Sequence, residues 1–147
     1  MIPRAAGFTL LEVLLVLIIF GVAAAIAVPR VAGALRAAEI DAAARGLAAS
    51  MRHARGRAIA VHREQRVALD LERRRYFIPG RETPVALPED VDIELVTARS
   101  QRQGVRSGTI AFHPDGSATG GQIRLSGAGR HHVVDIDWLT GAVRLYE

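Results

Sequence analysis

From Phe8 to Val28 the chain is apolar at almost every position, 21 residues with one ionisable side chain, Glu12. A helix of this length, at about 1.5 Å rise per residue, covers roughly 30 Å, the thickness of a bilayer's hydrocarbon core. Leu10, Leu11 and the run Val13 to Ile19 leave no polar face, so the segment reads as a membrane span rather than a soluble core helix. Past Pro29, which removes an amide donor and is expected to kink or loosen a continuing helix, the pattern changes. Ile40, Ala44, Leu47, Met51, Ala54, Ala58 and Val61 recur at steps of three and four, while Arg45, Arg52, Arg55 and Arg63 fall mostly elsewhere. That spacing predicts an amphipathic helix with a core-facing stripe and a solvated arginine face. From Gln65 the period is two. Val67, Leu69 and Leu71, then Tyr76 and Ile78, predict a hairpin turning through Glu72 to Arg75. Pro79, Gly80, Pro84 and Pro88 break the next stretch into a loop. Residues 91–98 read as another strand, and 99–108 as a polar surface excursion. Four short alternating runs follow at Thr109–His113, Gln122–Ser126, His132–Asp137 and Ala142–Tyr146. The pattern predicts an α+β fold: a long N-terminal helix whose first half spans the membrane, packed on a C-terminal antiparallel β-sheet head.

A chain of 147 residues holds one modest core beyond the span, and a second domain is not expected. It has no cysteine, which excludes disulfides, thiolate nucleophiles and Cys-based metal sites, and leaves an extracytoplasmic location open. The net charge of +4 suggests nucleic acid until one sees that all 19 basic residues are Arg, a bias shared with the abundance of Ala. Arg suits phosphate, but no motif with a groove-reading geometry is present, so nucleic acid is not the expected partner.

Glu12 is the anomaly of the apolar run. On insertion scales a carboxylate near a bilayer centre costs about 2.5–3.5 kcal/mol, less toward the interface, so it calls for a partner, for headgroups within reach, or for protonation. An ordinary secretory signal peptide is the competing reading, because Arg4 supplies a basic start and Ala23, Ala25 and Ala27 offer A-x-A-like cleavage sites. A disposable leader has little reason to carry Glu12.

Gly7 followed by Phe8, Thr9, Leu10, Leu11 and Glu12, then an unbroken apolar helix, resembles the class III signal of type IV pilins and type II secretion pseudopilins. The resemblance implies that a prepilin peptidase cuts on the cytoplasmic side between Gly7 and Phe8 and then methylates the Phe8 amine. Residues 1–7 are then the leader, 8–28 the transmembrane and assembly helix, 29–64 the amphipathic helix, and 65–147 the head. The methylated amine stays protonated, so Phe8 of one subunit can pair with Glu12 of its neighbour. Such a pair is sensitive to losing either partner although its net contribution is small, and so sets register more than strength. Pilins also carry a proline in the region of Pro29. In the head, residues 112–125 and 134–146 resemble the H-type minor pseudopilins (the GspH family), and "LDLERRRY" their first hairpin; residues 81–108 resemble nothing quotable. Turn chemistry agrees: Pro114, Asp115 and Gly116 suit a tight turn, Gly120 and Gly121 permit positive φ, and Thr140 with Gly141 makes another turn.

Catalysis is not expected. His113, Asp115 and Ser117 lie two residues apart across a turn and cannot easily meet in a serial hydrogen-bond relay, and no G-x-S-x-G elbow accompanies them. His131 and His132 face opposite sides of a strand. His53 and His62 are too far apart on a helix to share an ion, so the five histidines are expected as surface or partly buried polar residues and no metal or cofactor is implied. The resemblance points to a low-abundance structural subunit of a periplasmic pseudopilus in the bacterial inner membrane. Its implied partners are prepilin peptidase, sibling major and minor pseudopilins, the inner-membrane assembly platform and the lipid bilayer. The alternative is a FimT-like minor type IV pilin that binds DNA during uptake or supports pilus assembly; Arg124, Arg130 and Arg144, scattered around Asp135 and Asp137, argue against it.

Overall fold

The computed structural model describes residues 9–96 and 107–147, apart from the side chains of Val28 and Pro29. One helix, α1 (Leu10–Val61), precedes eight strands: β1 (Gln65–Asp70), β2 (Arg75–Phe77), β3 (Val85–Ala86), β4 (Asp92–Val96), β5 (Ser107–Phe112), β6 (Gly121–Gly127), β7 (Arg130–Ile136) and β8 (Val143–Tyr146). The chain divides into two compact units, Met1–Leu35 and Arg36–Glu147.

In the first unit the described residues from Leu10 onward are helical and exposed. This helix is long and apolar enough to cross a membrane. The helical assignment continues through residue 29, so Pro29 does not divide it into two helices.

The second unit holds α1 from Arg36 onward and two antiparallel four-stranded sheets, ordered β3-β2-β1-β5 and β4-β6-β7-β8. Ile40, Leu47, Ala48, Met51, Ala54 and Ala58 form the buried helix stripe. They share one core with Val67, Leu69, Tyr76, Ile110 and Phe112 of the first sheet and Leu95, Ile123, Leu125, Val134 and Ile136 of the second. The alternation along β7, with Val134 and Ile136 inward and Val133 and Asp135 only partly covered, is what period-two patterning demands of a sheet covered on one face. Val61, expected on the stripe, is exposed. The helix ends there in a Schellman turn, with His62 at φ 51° and the Arg63 amide donating to the Ala58 carbonyl, so Val61 faces no element to pack against it.

The first hairpin forms where expected, and Arg73 and Arg74 lie in its turn while Arg75 opens β2. Asp70 Oδ1 accepts the Arg73 amide at 3.0 Å, which fixes the turn. β3 lies inside the stretch expected to be loop. Its two residues pair with β2 and the Leu87 amide donates to the Arg74 carbonyl, so Pro84 and Pro88 bracket a strand too short for periodicity to reveal. The expected strand at residues 91–98 is β4, and the polar excursion falls mostly outside the described residues. In the β6–β7 hairpin, Ala128 and Gly129 both take positive φ, 46° and 74°, as a two-residue type I′ turn requires.

Candidate functional site

Of the residues singled out at the N-terminus, Gly7 and Phe8 lie outside the described residues. Glu12 sits in the first turn of α1. Thr9 is the N-cap: its Oγ1 accepts the Glu12 amide at 3.2 Å, and its carbonyl takes the first helical bonds from Glu12 and Val13. The carboxylate thereby occupies the third helical position, where a negative charge is favoured by the unpaired amides and the helix dipole. Thr9 was not singled out from sequence, although Thr-x-x-Glu is the capping-box spacing and marks it. Glu12 is exposed among Leu10, Leu11, Val13 and Leu15, all exposed as well. Apolar side chains in this number without cover mark a surface made for lipid or for other helices.

In the head, polar side chains hold loops in place. Ser117 donates its hydroxyl to Asp115 Oδ1 at 2.7 Å and its amide to the same oxygen at 2.9 Å. These bonds hold the Asp115 carboxyl below its ordinary range. His113 instead faces Glu64, Nδ1 to Oε2 at 3.4 Å. The serine is thus committed to the aspartate rather than poised against the imidazole, and the three residues build a turn with Gly116 at φ 88°. Gly120 and Gly121 take φ of 71° and 143°, and a Cβ on Gly120 would lie 2.8 Å from the Trp138 Cβ.

Arg45 and Arg52 are exposed, as a solvated face requires, while Arg55 is half-buried, and both Arg52 and Arg55 also bind the head. Arg55 Nε donates to both the Gly116 carbonyl, at 3.1 Å, and the Thr140 carbonyl, at 3.0 Å, tying two turns to the helix. Arg52 donates to the Val143 carbonyl of β8 at 3.3 and 3.2 Å. The expectation for histidine also needs correction at one position. His131 is exposed but His132 is 3% exposed, with Nε2 2.7 Å from Asp41 Oδ1 on the helix. Strand alternation separates the two rings; only the tertiary fold supplies a carboxylate to the inner one. Among the described residues no group of three or more His, Asp or Glu side chains converges to hold a metal ion. Arg124 pairs with Glu94 at 3.2 Å and Arg130 with Asp41 at 3.7 Å, so these two do not form a free phosphate-binding cluster.

Comparison with known proteins agrees with this architecture. Residues 2–28 match the prokaryotic N-terminal methylation motif, and residues 43–140 match the family described as Type II transport protein GspH. A curated relative, Type II secretion system protein H of Xanthomonas campestris pv. campestris, is 33% identical over 138 residues, 94% of this chain and 81% of the relative. In fold, the chain is similar to two crystal forms of the Pseudomonas aeruginosa type IV minor pilin FimU. Their TM-scores are 0.58 and 0.56 at 14% identity, covering 76% and 73% of this chain and 91% and 92% of theirs. A long apolar N-terminal helix with a methylation motif, followed by an antiparallel head of this kind, defines a pilin-like α+β protein. Within that class, the chain belongs to the GspH family of type II transport proteins. Family and fold together support the role of a minor pseudopilin.

Proposed function

We propose that the chain is a structural, non-catalytic minor pseudopilin of a type II secretion pseudopilus, matured by prepilin peptidase at the Gly7–Phe8 bond and N-methylated on Phe8. Residues 8–28 anchor it in the bacterial inner membrane with the head in the periplasm, residues 29–64 carry the helix onward, and residues 65–147 complete the head. From the membrane it is taken up by the assembly platform and joins sibling major and minor pseudopilins near the filament tip, helping to move folded proteins across the outer membrane. The observation that carries this reading is the methylation motif over residues 2–28, coinciding with an exposed apolar stretch of α1 whose one carboxylate before Pro29, Glu12, stands in the first turn. In a filament the Phe8 amine of one subunit answers the Glu12 carboxylate of the next, each offsetting the other's cost in lipid. The FimT-like DNA-uptake alternative draws no support from Arg124 and Arg130, which are paired with carboxylates.

Mass spectrometry of the mature N-terminus tests the reading. The expected species begins at N-methyl-Phe8. A chain beginning at Val28, after an ordinary signal peptide, would refute it.

A further inference from the structure

A strand at the edge of a sheet carries unpaired amides and carbonyls that invite another chain to pair with it. Two edges of this head are closed locally. β3 has two residues, bracketed by Pro84 and Pro88. On β5 the outward groups of Ala111 are taken by Thr119, whose amide donates to the Ala111 carbonyl at 2.9 Å and whose Oγ1 accepts the Ala111 amide at 3.1 Å. β8 ends the second sheet and is closed by a side chain from the helix. The Asp137 amide donates to the Ala142 carbonyl, which turns the main chain of Ala142 toward β7. Alternation turns Arg144 and Tyr146 the same way and leaves the amides and carbonyls of Val143 and Leu145 on the free edge. There the Val143 carbonyl accepts Arg52, from Nε at 3.3 Å and Nη2 at 3.2 Å. The Leu145 amide and carbonyl have no partner among the described residues. Arg52, Arg144 and Tyr146 are exposed, so another chain can reach this edge.

We propose that Arg52 guards the open edge of β8, and that without it two copies of this chain join β8 to β8 as an antiparallel pair. The strand is its own complement. Only residues with outward main-chain groups bond across such an edge, so Val143 and Leu145 must face Val143, Leu145 or Glu147 of the second copy. The register that sets Leu145 against Leu145 brings Arg144 opposite Tyr146 on both sides of the two-fold axis, a guanidinium beside an aromatic ring each time. In that register the Val143 carbonyl accepts the Glu147 amide of the second copy. Arg52 already occupies the place of this incoming amide, and a charged donor is the costlier one to displace. Charged side chains on edge strands are a general means by which sheets stay single. The pairing is of the chain with itself and is independent of the filament role above.

Self-association of the full-length chain in detergent micelles, followed by light scattering over a range of concentrations, tests the guard. Arg52→Ala is expected to lower the dimer Kd at least about tenfold relative to the native chain. Arg52→Met, which keeps the aliphatic stem without a donor, is expected to do the same and decides the matter where Arg52→Ala does not fold. Leu145→Pro added to either variant deletes an open amide but no bond to β7, and should return association to the native level. Since the native chain has no cysteine, Leu145→Cys locates the contact. Opposed residues of a hydrogen-bonded antiparallel pair lie about 5.5 Å apart at Cα, within disulfide reach. Oxidation should therefore link copies that lack Arg52 and leave copies that keep it largely unlinked. Unchanged association in both Arg52 variants, association that persists with Leu145→Pro, or equal linking through position 145 with and without Arg52 would each overturn the proposal.

Discussion

His132 and Asp41 lie 91 positions apart in sequence, yet the imidazole Nε2 sits 2.7 Å from the carboxylate Oδ1 and joins β7 to the helix. Because the carboxylate only accepts, Nε2 carries the proton and donates. His132 Nδ1 is buried with no hydrogen-bond partner among the described residues, so the Asp41 contact is the ring's one satisfied polar link. The His132 hydrogen bond is the foremost reason that the Asp41 carboxyl titrates below its ordinary range, with Arg130 and Arg45 acting in the same direction.

A pH dependence follows from that depression. A carboxylate whose folded pKa lies below its unfolded value stabilises the fold fully above the unfolded value, near pH 4, and loses that stabilisation as pH falls through the folded value. Thermal unfolding of the native chain and of Asp41→Asn should therefore differ at pH 5, with the native chain more stable, and converge toward pH 2. A gap that stays constant down to pH 2 contradicts the assignment. His132→Ala is expected to cost about 1–3 kcal/mol at neutral pH.

Gly141 and Gly129 both adopt positive φ, 60° and 74°, but their surroundings differ. A Cβ at Gly129 meets nothing within 4 Å, whereas one at Gly141 would overlap the Gly116 carbonyl oxygen and press on Arg55. Gly129→Ala should thus cost only the left-handed backbone strain, about 1–2 kcal/mol. Gly141→Ala should cost about 3 kcal/mol or more, because strain and collision act together. Urea unfolding of the two variants side by side checks the ordering; equal losses would mean that the turns are not in contact.

Arg55→Ala removes a side chain that donates to both the 113–117 and 137–141 turns. The expected loss is about 1–3 kcal/mol, since two carbonyls lose a charged donor and one of them belongs to the buried Gly116. Hydrogen exchange at Gly116 and Gly141 should accelerate together, because each amide closes one of the turns. Acceleration confined to one turn would show that the arginine does not couple them.

What the sequence made legible is what periodicity encodes. Ile40 to Ala58 declared a buried stripe because a helix repeats every 3.6 residues, and Val134 and Ile136 declared their face because a strand repeats every two. Val61 fits the helical repeat and is exposed, since periodicity carries no information on where the helix runs out of neighbours. Alternation sets His131 and His132 on opposite faces but is blind to Asp41 waiting on one of them. Helical spacing could not reveal the carbonyls that Arg52 and Arg55 satisfy, because these belong to β8 and to turns 61 to 91 residues away. Trp138 falls between the run ending at Asp137 and the Thr140–Gly141 turn, and its exposure emerges from how Asp137, Arg55 and Gly120 shape that loop.

Glu12 is legible for the opposite reason, as a charge where the pattern forbids one. At the third helical position, beneath the Thr9 cap, the helix itself favours the negative charge by about 0.3–1 kcal/mol, well short of the cost of holding it in lipid. On the filament reading proposed above, the remaining compensation comes from a neighbour's Phe8 amine. Glu12→Ala should therefore leave the isolated subunit intact: N-methyl-Phe8 still forms, the helix still inserts, and insertion itself becomes easier. Assembly is where the loss should appear, because removing the acid strands an unpaired ammonium at each subunit contact, a far larger penalty than the pair's net contribution. Counting the variant in sheared pseudopili relative to the native chain measures this, with a drop of at least about tenfold expected. Incorporation at the native level, with processing unchanged, would show that Glu12 has no partner across the interface.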